Sequence, residues 1–311
     1  MTRARIIALG LALLGAGCGE KEAPRAVPVR ADGVLELTLC SFNVRYEAPE
    51  DHGWRKWPNR LDRVLRTIRQ IDPDVFGVQE ALHGQAADLW ASLPDYDFHG
   101  IGRKDGKREG EYAGIFWKRH RFEPDPAERG TFWLSDYPEM PGSRTWGNDP
   151  ERCTSWIRLT DRATGRGFYV FNTHWDHRSQ YSRERAAPLI ASRIDARAHP
   201  EEPVVLLGDF NATEGNPAVD YFIGKDVTLA GQSVRGWQHP LTDPYRRLHP
   251  DVKNRRTLHF WTARTDGWAK VDHILVSKDA QLLGADIVRA ETRETQPSDH
   301  YPVWVKVAWP E

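Results

Sequence analysis

Cysteine is scarce in this sequence of 311 residues, which contains three. Cys18, Cys40 and Cys153 are too few for a disulfide framework and do not have the spacing of zinc ligands. Cys40 and Cys153 each lie in a strand-like run, so we predict that both are buried free thiols. A single Cys40–Cys153 bridge is the alternative if the protein folds in an oxidising compartment.

The chain also lacks an excess of charge of either sign. Its 43 lysines and arginines against 44 aspartates and glutamates give a net charge of −1. Without a positive field over the whole surface, tight nonspecific binding to duplex nucleic acid is not expected. A local basic patch around a cleft is still compatible with this balance.

The apolar run near the N-terminus is too short to span a bilayer comfortably, which takes about 20 residues. The segment has instead the pattern of an export signal: Arg3 and Arg5, an apolar stretch at residues 6–14, and small residues before Cys18. It resembles a bacterial lipoprotein signal in which Cys18 is acylated, although Gly15 replaces the usual Leu. We therefore predict that residues 1–30 are a signal or lipoprotein segment and tether. The protein is expected to be exported, and either anchored to the envelope membrane by lipid alone or secreted.

After residue 30 there is no repeat, low-complexity segment or second linker, so residues 31–311 are predicted to form one domain. Helical spacing indicates a helix that begins at Asn59 and ends before Pro73. Another helix is expected with Ser182 as its N-cap, kinked or delayed by Pro188. Strand-like runs lie at residues 35–43, 74–79, 112–117, 152–159, 167–173, 204–208, 270–277 and 303–309. This pattern favours two sheets packed face to face with helices outside.

Polar residues of interest follow the ends of these predicted strands. Asn43 and Glu80 each come directly after an apolar run. Either residue alone is an ordinary turn former or solvated strand end. Together they offer two hard oxygen ligands of the kind that Mg²⁺ prefers.

The run Gly208-Asp209-Phe210-Asn211 follows four apolar residues that are typical of a central strand. If the chain stays extended, Asp209 and Asn211 point to the same side. One would then accept a proton from water while the other orients that water or a phosphate oxygen. A simple turn accounts equally well for the run.

Asp272 lies inside another strand-like stretch, and a buried carboxylate needs a partner. We expect that partner to be His300, because an aspartate fixes the tautomer of a histidine that serves as a general base. His174 follows a further strand and is a candidate to donate to a phosphoryl oxygen. His177 is close enough in the chain to share that role.

Taken in order, these motifs resemble the endonuclease/exonuclease/phosphatase superfamily. They are Ser-Phe-Asn43-Val-Arg, Gln-Glu80, Asn-Thr-His174, Gly-Asp209-Phe-Asn211, Val-Asp272-His-Ile and Ser-Asp299-His300. The segments at residues 130–135 and 152–156 and Thr-Leu-His259-Phe are similar to secreted bacterial members related to catabolite-repression deadenylases.

The resemblance implies an α/β fold, a four-layer α/β/β/α sandwich with two mixed β-sheets packed face to face. It assigns Asn43, Glu80 and, through water, Asp299 to Mg²⁺, for which Mn²⁺ can substitute, with one or two metals. It assigns Asp209 and Asn211 to the attacking water and phosphate, and His174 to phosphate stabilisation. The Asp272–His300 pair becomes the proton-transfer centre, and the choice of Asp209 or His300 as the formal base stays open.

The predicted activity is metal-dependent hydrolysis of a phosphodiester or phosphomonoester by in-line attack of water. The substrate class stays open between nucleic acid, a lipid headgroup and a small phosphoester. Candidate substrate-binding residues are Arg45, Arg152, His177 and His259, with Arg144 and Arg178 as further candidates, and the protein is expected to be a monomer. The alternative is a catalytically weak carbohydrate- or headgroup-binding envelope protein on the same fold. That alternative rests on the 13 tryptophans, of which five lie near the motifs: Trp54, Trp57, Trp146, Trp175 and Trp261.

Overall fold

The computed structural model describes residues 33–310. The predicted segment 1–30, with Cys18 and its acylation, lies outside the described residues. No helix within 33–310 is long and apolar enough to cross a membrane.

Two six-stranded sheets form the centre of the molecule. The first sheet contains, in spatial order, β13 (Gln281–Ile287), β14 (Val303–Trp309), β1 (Leu35–Asn43), β2 (Val75–Ala81), β4 (Tyr112–Lys118) and β3 (Tyr96–His99). The second contains β11 (Leu241–Thr242), β12 (Asp272–Ser277), β8 (Val204–Asp209), β7 (Gly167–His174), β6 (Cys153–Asp161) and β5 (Phe122–Trp133). A separate hairpin pairs β9 (Val227–Leu229) with β10 (Gln232–Val234).

Each large sheet is mixed, because one pair of its strands is parallel and the others are antiparallel. The parallel pair is β1–β2 in the first sheet and β7–β8 in the second. Asn43 lies opposite Gln79 at the carboxyl end of the first pair, and His174 lies opposite Asp209 at the carboxyl end of the second. These two ends are the part of the scaffold that carries the polar cluster described below.

Helices cover the outer faces of both sheets. They are α1 (Trp57–Ile71), α2 (His83–Ser92), α3 (Gln180–Asp195), α4 (Pro217–Phe222) and α5 (Pro244–Leu248), with a 3₁₀ turn at Gly53–Arg55. One apolar cluster, which includes Leu39 and Val205, lies between the sheets. Two others join the first sheet to α1 and α2, and the second sheet to α3 and α4. The predicted four-layer α/β/β/α sandwich is therefore confirmed.

Buried polar side chains link the two sheets across this core. Asn172 of β7 donates to the carbonyl oxygens of Val78 (3.0 Å) and Gly114 (2.7 Å) in the first sheet. Gln79 of β2 donates to Asn172 Oδ1 at 2.7 Å. Because all three bonds cross from one sheet to the other just below the strand ends, they hold the two sheets in a defined relative position.

Several predicted boundaries are wrong in detail. α1 begins at Trp57, with a proline in its first turn, rather than at Asn59. Ser179 caps α3 by accepting from the backbone N–H of Ser182, so Ser182 lies inside the helix. Pro188 lies on the exposed side of α3 and does not interrupt the helix.

Cys40 and Cys153 are buried free thiols, as predicted, and do not form a bridge.

Candidate active site

The predicted catalytic and metal-binding side chains lie together in a cleft at the carboxyl ends of the two parallel strand pairs. The cleft has a volume of about 1000 Å³. Six of the predicted catalytic and metal-binding residues line it, and Asn43 and Asp272 lie beneath them, bonded to Asp209 and His300; the six are Glu80, His174, Asp209, Asn211, Asp299 and His300. A smaller cavity of about 320 Å³ lies elsewhere, beside Trp237.

Asn43 connects the two sheets at the floor of the cleft. Its Nδ2 donates to Glu80 Oε1 at 2.9 Å and to Asp209 Oδ2 at 3.0 Å. Glu80 has a left-handed backbone (φ 65°) at a shift in the β2–β4 register, a conformation that non-glycine residues rarely adopt. Such strain is typical of functional sites, and here it accompanies a carboxylate held next to Asn43.

The loop that carries Asp299 is attached to both β1 and α1. Ser298 Oγ donates to the carbonyl oxygen of Asn43 at 2.7 Å, and buried Arg60 of α1 donates to the carbonyl of Pro297 at 3.1 Å. Arg45 lies 3.9 Å from Asp299 and also pairs with Asp51 and Glu50. These contacts place Asp299 at the cleft wall beside Arg45.

Asp272 and His300 form the predicted pair. Asp272 Oδ2 lies 2.8 Å from His300 Nδ1, and His300 Nε2 lies 3.8 Å from Asp209 Oδ2. Burial opposes the charged ring, but the carboxylates of Asp272 and Asp209 outweigh it and raise the pKa of His300 well above its ordinary value. Burial, together with the Asp272 carboxylate, raises the pKa of Asp209 to about 7. The charge on each of Asp209 and His300 therefore favours the charge on the other.

His174 lies on the other side of Asp209, with Nε2 3.6 Å from Asp209 Oδ2. Burial lowers the pKa of His174 well below its ordinary value, and the guanidinium groups of Arg152 and Arg103 lower it further. Its Nδ1 faces Glu111 at 3.6 Å. The ring is therefore neutral and positioned between two carboxylates.

Asn211 is not extended, so of the two interpretations that the sequence left open the turn is the one that the structure adopts. β8 ends at Asp209, and Asn211 has a left-handed backbone (φ 47°). Its backbone N–H donates to Asp209 Oδ1 at 2.8 Å, and its Nδ2 donates to the carbonyl of Trp175 at 3.0 Å. Asn211 still lines the cleft, but a turn rather than strand alternation places it there.

Four charged residues that line the cleft, Glu47, Arg103, Glu111 and Glu151, were not predicted from the sequence, and two of them form an ion pair. Glu111 accepts from Arg103 Nη2 at 2.8 Å, and both side chains line the cleft. Burial raises the pKa of Glu111, although Arg103 opposes the rise. Both residues belong to the charged segment at residues 103–111, in which no pattern of residues separates a cleft residue from a solvated one.

The predicted substrate-binding residues separate into two groups. Arg45, Arg152 and His177 line the cleft. His259 does not: its ring is buried and packs on Tyr301 at 4.1 Å between ring centroids, and burial lowers its pKa to about 3. Phe260, which has a left-handed backbone, places its own side chain at the cleft wall instead of that of His259.

The further candidates from the sequence lie outside the cleft. Arg144 pairs with Asp149 on the surface, and neither it nor Arg178 is among the lining residues. No tryptophan lines the cleft within residues 33–310. Four of the five tryptophans near the motifs, all but Trp54, are buried.

The donor set at the floor of the cleft fits a divalent cation. Ligand atoms of Glu80, His174 and Asp209 lie within 4.8 Å of one another. Burial raises the pKa of Asp299, and repulsion from Glu80 adds to the rise although His300 opposes it. A cation would relieve this repulsion, and carboxylate and amide oxygens are the ligands that Mg²⁺ prefers.

Comparison with known proteins gives the site a context. The sequence profile of the Endonuclease/Exonuclease/phosphatase family matches residues 40–300. An endonuclease/exonuclease/phosphatase structure from Bacteroides vulgatus is 32% identical, with a TM-score of 0.76 over 88% of this chain and 98% of its own. A mannosyl-6-phosphatase structure from Bacteroides thetaiotaomicron is 29% identical, with a TM-score of 0.75 over 87% of this chain and 99% of its own.

Curated sequences match more distantly. A probable RNA exonuclease of Schizosaccharomyces pombe is 26% identical over 203 residues, which cover 60% of this chain and 39% of that protein. The chain spans less than two thirds of the length of the curated relatives that it matches.

Proposed function

This chain belongs to the endonuclease/exonuclease/phosphatase family, and on that premise we propose that it hydrolyses phosphoesters with a divalent metal and an activated water. Hydrolases of phosphoesters occur among its structural neighbours, as the mannosyl-6-phosphatase shows. One observation carries the proposal. Asp209 lies within 4 Å of Asn43, His174 and His300, three groups that come from both sheets and that suit a phosphoryl-transfer site.

Asn43, Glu80 and, through water, Asp299 would hold the metal, with Mg²⁺ as the natural ion and Mn²⁺ as a substitute. Bound there, the ion would neutralise charge on the phosphate and make its phosphorus more open to attack. The carboxylates of Glu80 and Asp299 support this choice of metal, and the Asn43 amide, whose Nδ2 donates to Glu80 and whose Oδ1 accepts from the Arg45 backbone, would turn to offer its oxygen. Whether one or two ions bind is decided by titration.

The protein's own groups would then position and deprotonate the water. Asp209 or His300, which is held by Asp272, would accept the proton; His300 Nε2 lies 3.8 Å from Asp209 Oδ2, so the two would have to approach to hydrogen-bond distance before a proton passed between them. Asn211 would orient the water or a phosphate oxygen, and His174 would donate to a phosphoryl oxygen as charge builds in the transition state. Attack in line with the leaving group needs no covalent enzyme intermediate.

The proposal is tested with a substrate panel and a chelator. The panel is bis-p-nitrophenyl phosphate, p-nitrophenyl phosphate, single-stranded DNA, RNA and sphingomyelin, each with Mg²⁺ or Mn²⁺. We expect turnover that EDTA abolishes and added metal restores. If nothing phosphorylated is hydrolysed under any of these conditions, the binding-protein alternative replaces the enzyme.

Export and membrane attachment are a separate proposal that rests on residues 1–30. We expect the full chain in a bacterial host to partition with membranes, and Cys18→Ala to release it to the soluble fraction. A mature protein that keeps Met1 or Thr2 in the cytoplasm would contradict export. Gel filtration of residues 31–311 tests the expected monomer.

A further inference from the structure

Arg152 is a buried cation at the cleft that has hydrogen-bond donors without a partner. Its side chain is 3% exposed and lines the cleft. Nη2 donates to His177 Nδ1 at 3.0 Å, while Nε and Nη1 have no hydrogen-bond partner within the described residues. A buried donor without a partner is costly, and more so when it is charged. The group is therefore placed to receive acceptors from a ligand.

The nearest carboxylate does not satisfy these donors. Asp176 Oδ2 lies 3.6 Å from Arg152 Nε, an ion-pair distance without a hydrogen bond. Asp176 cannot move closer without losing its own bonds, because its Oδ1 accepts from the backbone N–H groups of Arg178 (2.9 Å) and Ser179 (2.6 Å). Arg103, the other buried arginine of the cleft, is already bonded to Glu111.

His177 adds a donor of the same kind. Its Nδ1 accepts from Arg152, because a guanidinium group has only donors. Burial and the neighbouring Arg152 lower the pKa of His177, so the neutral ring carries its proton on Nε2. Arg152 and the exposed ring of His177 thus present N–H groups, which suit an anion.

The position of Arg152 in the sheet brings it next to the reacting centre. Arg152 directly precedes β6, and Thr154 of β6 lies opposite Thr173 of β7, one residue before His174. His174 in turn lies opposite Asp209 of β8. Neighbouring strands lie about 4.8 Å apart, so a long arginine side chain reaches a phosphate that also contacts His174.

From this arrangement we propose that Arg152 and His177 form a binding site for a non-bridging oxygen of a terminal phosphate, which makes phosphomonoesters the preferred substrates. This inference rests on the proposed phosphoesterase function. A monoester phosphate has three non-bridging oxygens and up to two negative charges, whereas a diester has two such oxygens and one charge. In a diester, the second ester group takes the place of the third oxygen and leaves the guanidinium donors unpaired. Arginine suits the role because its planar fork matches phosphate oxygens.

The test compares two substrates that have the same leaving group. We expect kcat/KM of the wild-type enzyme with Mg²⁺ or Mn²⁺ to be at least about 100-fold higher for p-nitrophenyl phosphate than for bis-p-nitrophenyl phosphate. Arg152→Lys, which keeps a charge but loses the fork, should lower the monoester value about 10- to 100-fold and the diester value less than about 3-fold. Arg144→Lys, which lies on the surface, is the matched control and should change neither value.

A binding measurement separates this inference from the proposed function. Inorganic phosphate should raise the Tm of the wild-type protein with metal present, and Arg152→Lys should need about 10-fold more phosphate for the same rise. If Arg152→Lys does not fold, His177→Ala serves instead, with a smaller loss in the same direction. Equal losses on both substrates, or a wild-type preference for the diester, would overturn the monoester site while leaving the phosphoesterase intact. If the wild-type protein hydrolyses neither substrate but still binds phosphate, and Arg152→Lys still weakens that binding, the result would count against the enzyme and not against the anion site.

Discussion

Asp209 is the residue on which most of the contacts in the cleft converge. It accepts from Asn43 and lies next to both His174 and His300. Burial raises its pKa to about 7, so the ionised carboxylate lowers the stability of the folded protein. A group kept at this cost is expected to have a role in catalysis. We predict that Asp209→Asn lowers kcat at least about 10³-fold. Steady-state kinetics test the loss, and thermal unfolding is the control, since a large fall in Tm would point to a structural role.

Glu111 offers a second prediction at this scale, because it faces Nδ1 of His174 while bonded to Arg103. Glu111→Gln keeps the shape of the side chain and removes the negative charge that would favour protonation of the otherwise neutral His174 ring when a phosphate binds next to it. We expect kcat to fall about 10-fold and the pH profile of kcat to move. Glu109→Gln in the same segment, an exposed residue paired with Lys104, is the control. If Glu111→Gln has no further effect in a His174→Asn background, the two residues act together; additive losses would contradict that coupling.

At the scale of elements, α5 is joined to β12 through a buried ion pair. Asp243 caps α5 by accepting from the backbone of Arg246, and its other oxygen lies 2.8 Å from Nζ of fully buried Lys270. Lys270 Nζ also lies 3.0 Å from His273 Nδ1, and His273 Nε2 is bonded to the carbonyl of Ala212 just past the Asp209 turn. The pair thus supports the loop that carries Asp209 and Asn211.

This pair predicts a loss of stability in acid. Burial alone would raise the pKa of Asp243, but Lys270 and His273 outweigh it and hold that pKa well below its ordinary value. The stabilisation is therefore complete above the unfolded-state pKa of about 3.9 and is lost as the pH falls below it. We predict that Asp243→Asn costs about 3 kcal/mol of unfolding free energy at pH 7, and less at pH 3.

Urea unfolding at pH 7, 5, 4 and 3 measures the difference between Asp243→Asn and the wild type. Asp220→Asn is the control, because Asp220 pairs with the exposed Lys225 and should change stability by less than about 1 kcal/mol at any pH. A difference that stays constant or grows below pH 4 would show that the ion pair is not the source.

For the whole molecule, the metal should add to stability because its site exists only in the folded protein. The proposed ligands Asn43 and Glu80 come from two strands of the first sheet, and Asp209 of the second sheet lies next to them. At 100 times its Kd, Mg²⁺ should stabilise the folded protein by about 2.7 kcal/mol. Differential scanning calorimetry with and without EDTA measures this, and Glu80→Gln should remove most of the effect. A Tm that does not respond to Mg²⁺ or Mn²⁺ in the wild type would argue against the metal site.

The sequence predicts the sandwich, and it predicts that several polar side chains lie at strand ends, for a physical reason. Asn43, Glu80 and Asp209 follow apolar strands, so the periodicity that predicts the strands also locates these side chains. The site residues themselves remain predictions, although the fold brings the core set together. β5 is not among the predicted strands, because Pro124, Pro126 and its charged residues hide the strand pattern.

Other features depend on tertiary contacts that have no local signal. The left-handed backbone at Asn211 breaks the expected alternation, and the burial of His259 depends on its packing against Tyr301. Glu111 and Arg103 look like solvated loop charges until the fold encloses them. The cap at Ser179 rather than Ser182 shows the same limit, because both residues suit an N-cap and only the entry path of the chain selects one.

Because Asn172 forms hydrogen bonds from one sheet to the other, enzymatic activity should depend on how the two sheets are aligned. These hydrogen bonds join β7 to the backbones of β2 and β4 directly below the site, so a slight shear between the layers would separate Glu80 from Asp209. Asn172→Leu keeps the approximate size of the side chain but removes these hydrogen bonds between the sheets. We expect its activity on heating to vanish several degrees before its far-UV circular dichroism changes, whereas the two curves of the wild type should coincide. Coincident curves in the variant would mean that apolar packing alone keeps the layers aligned.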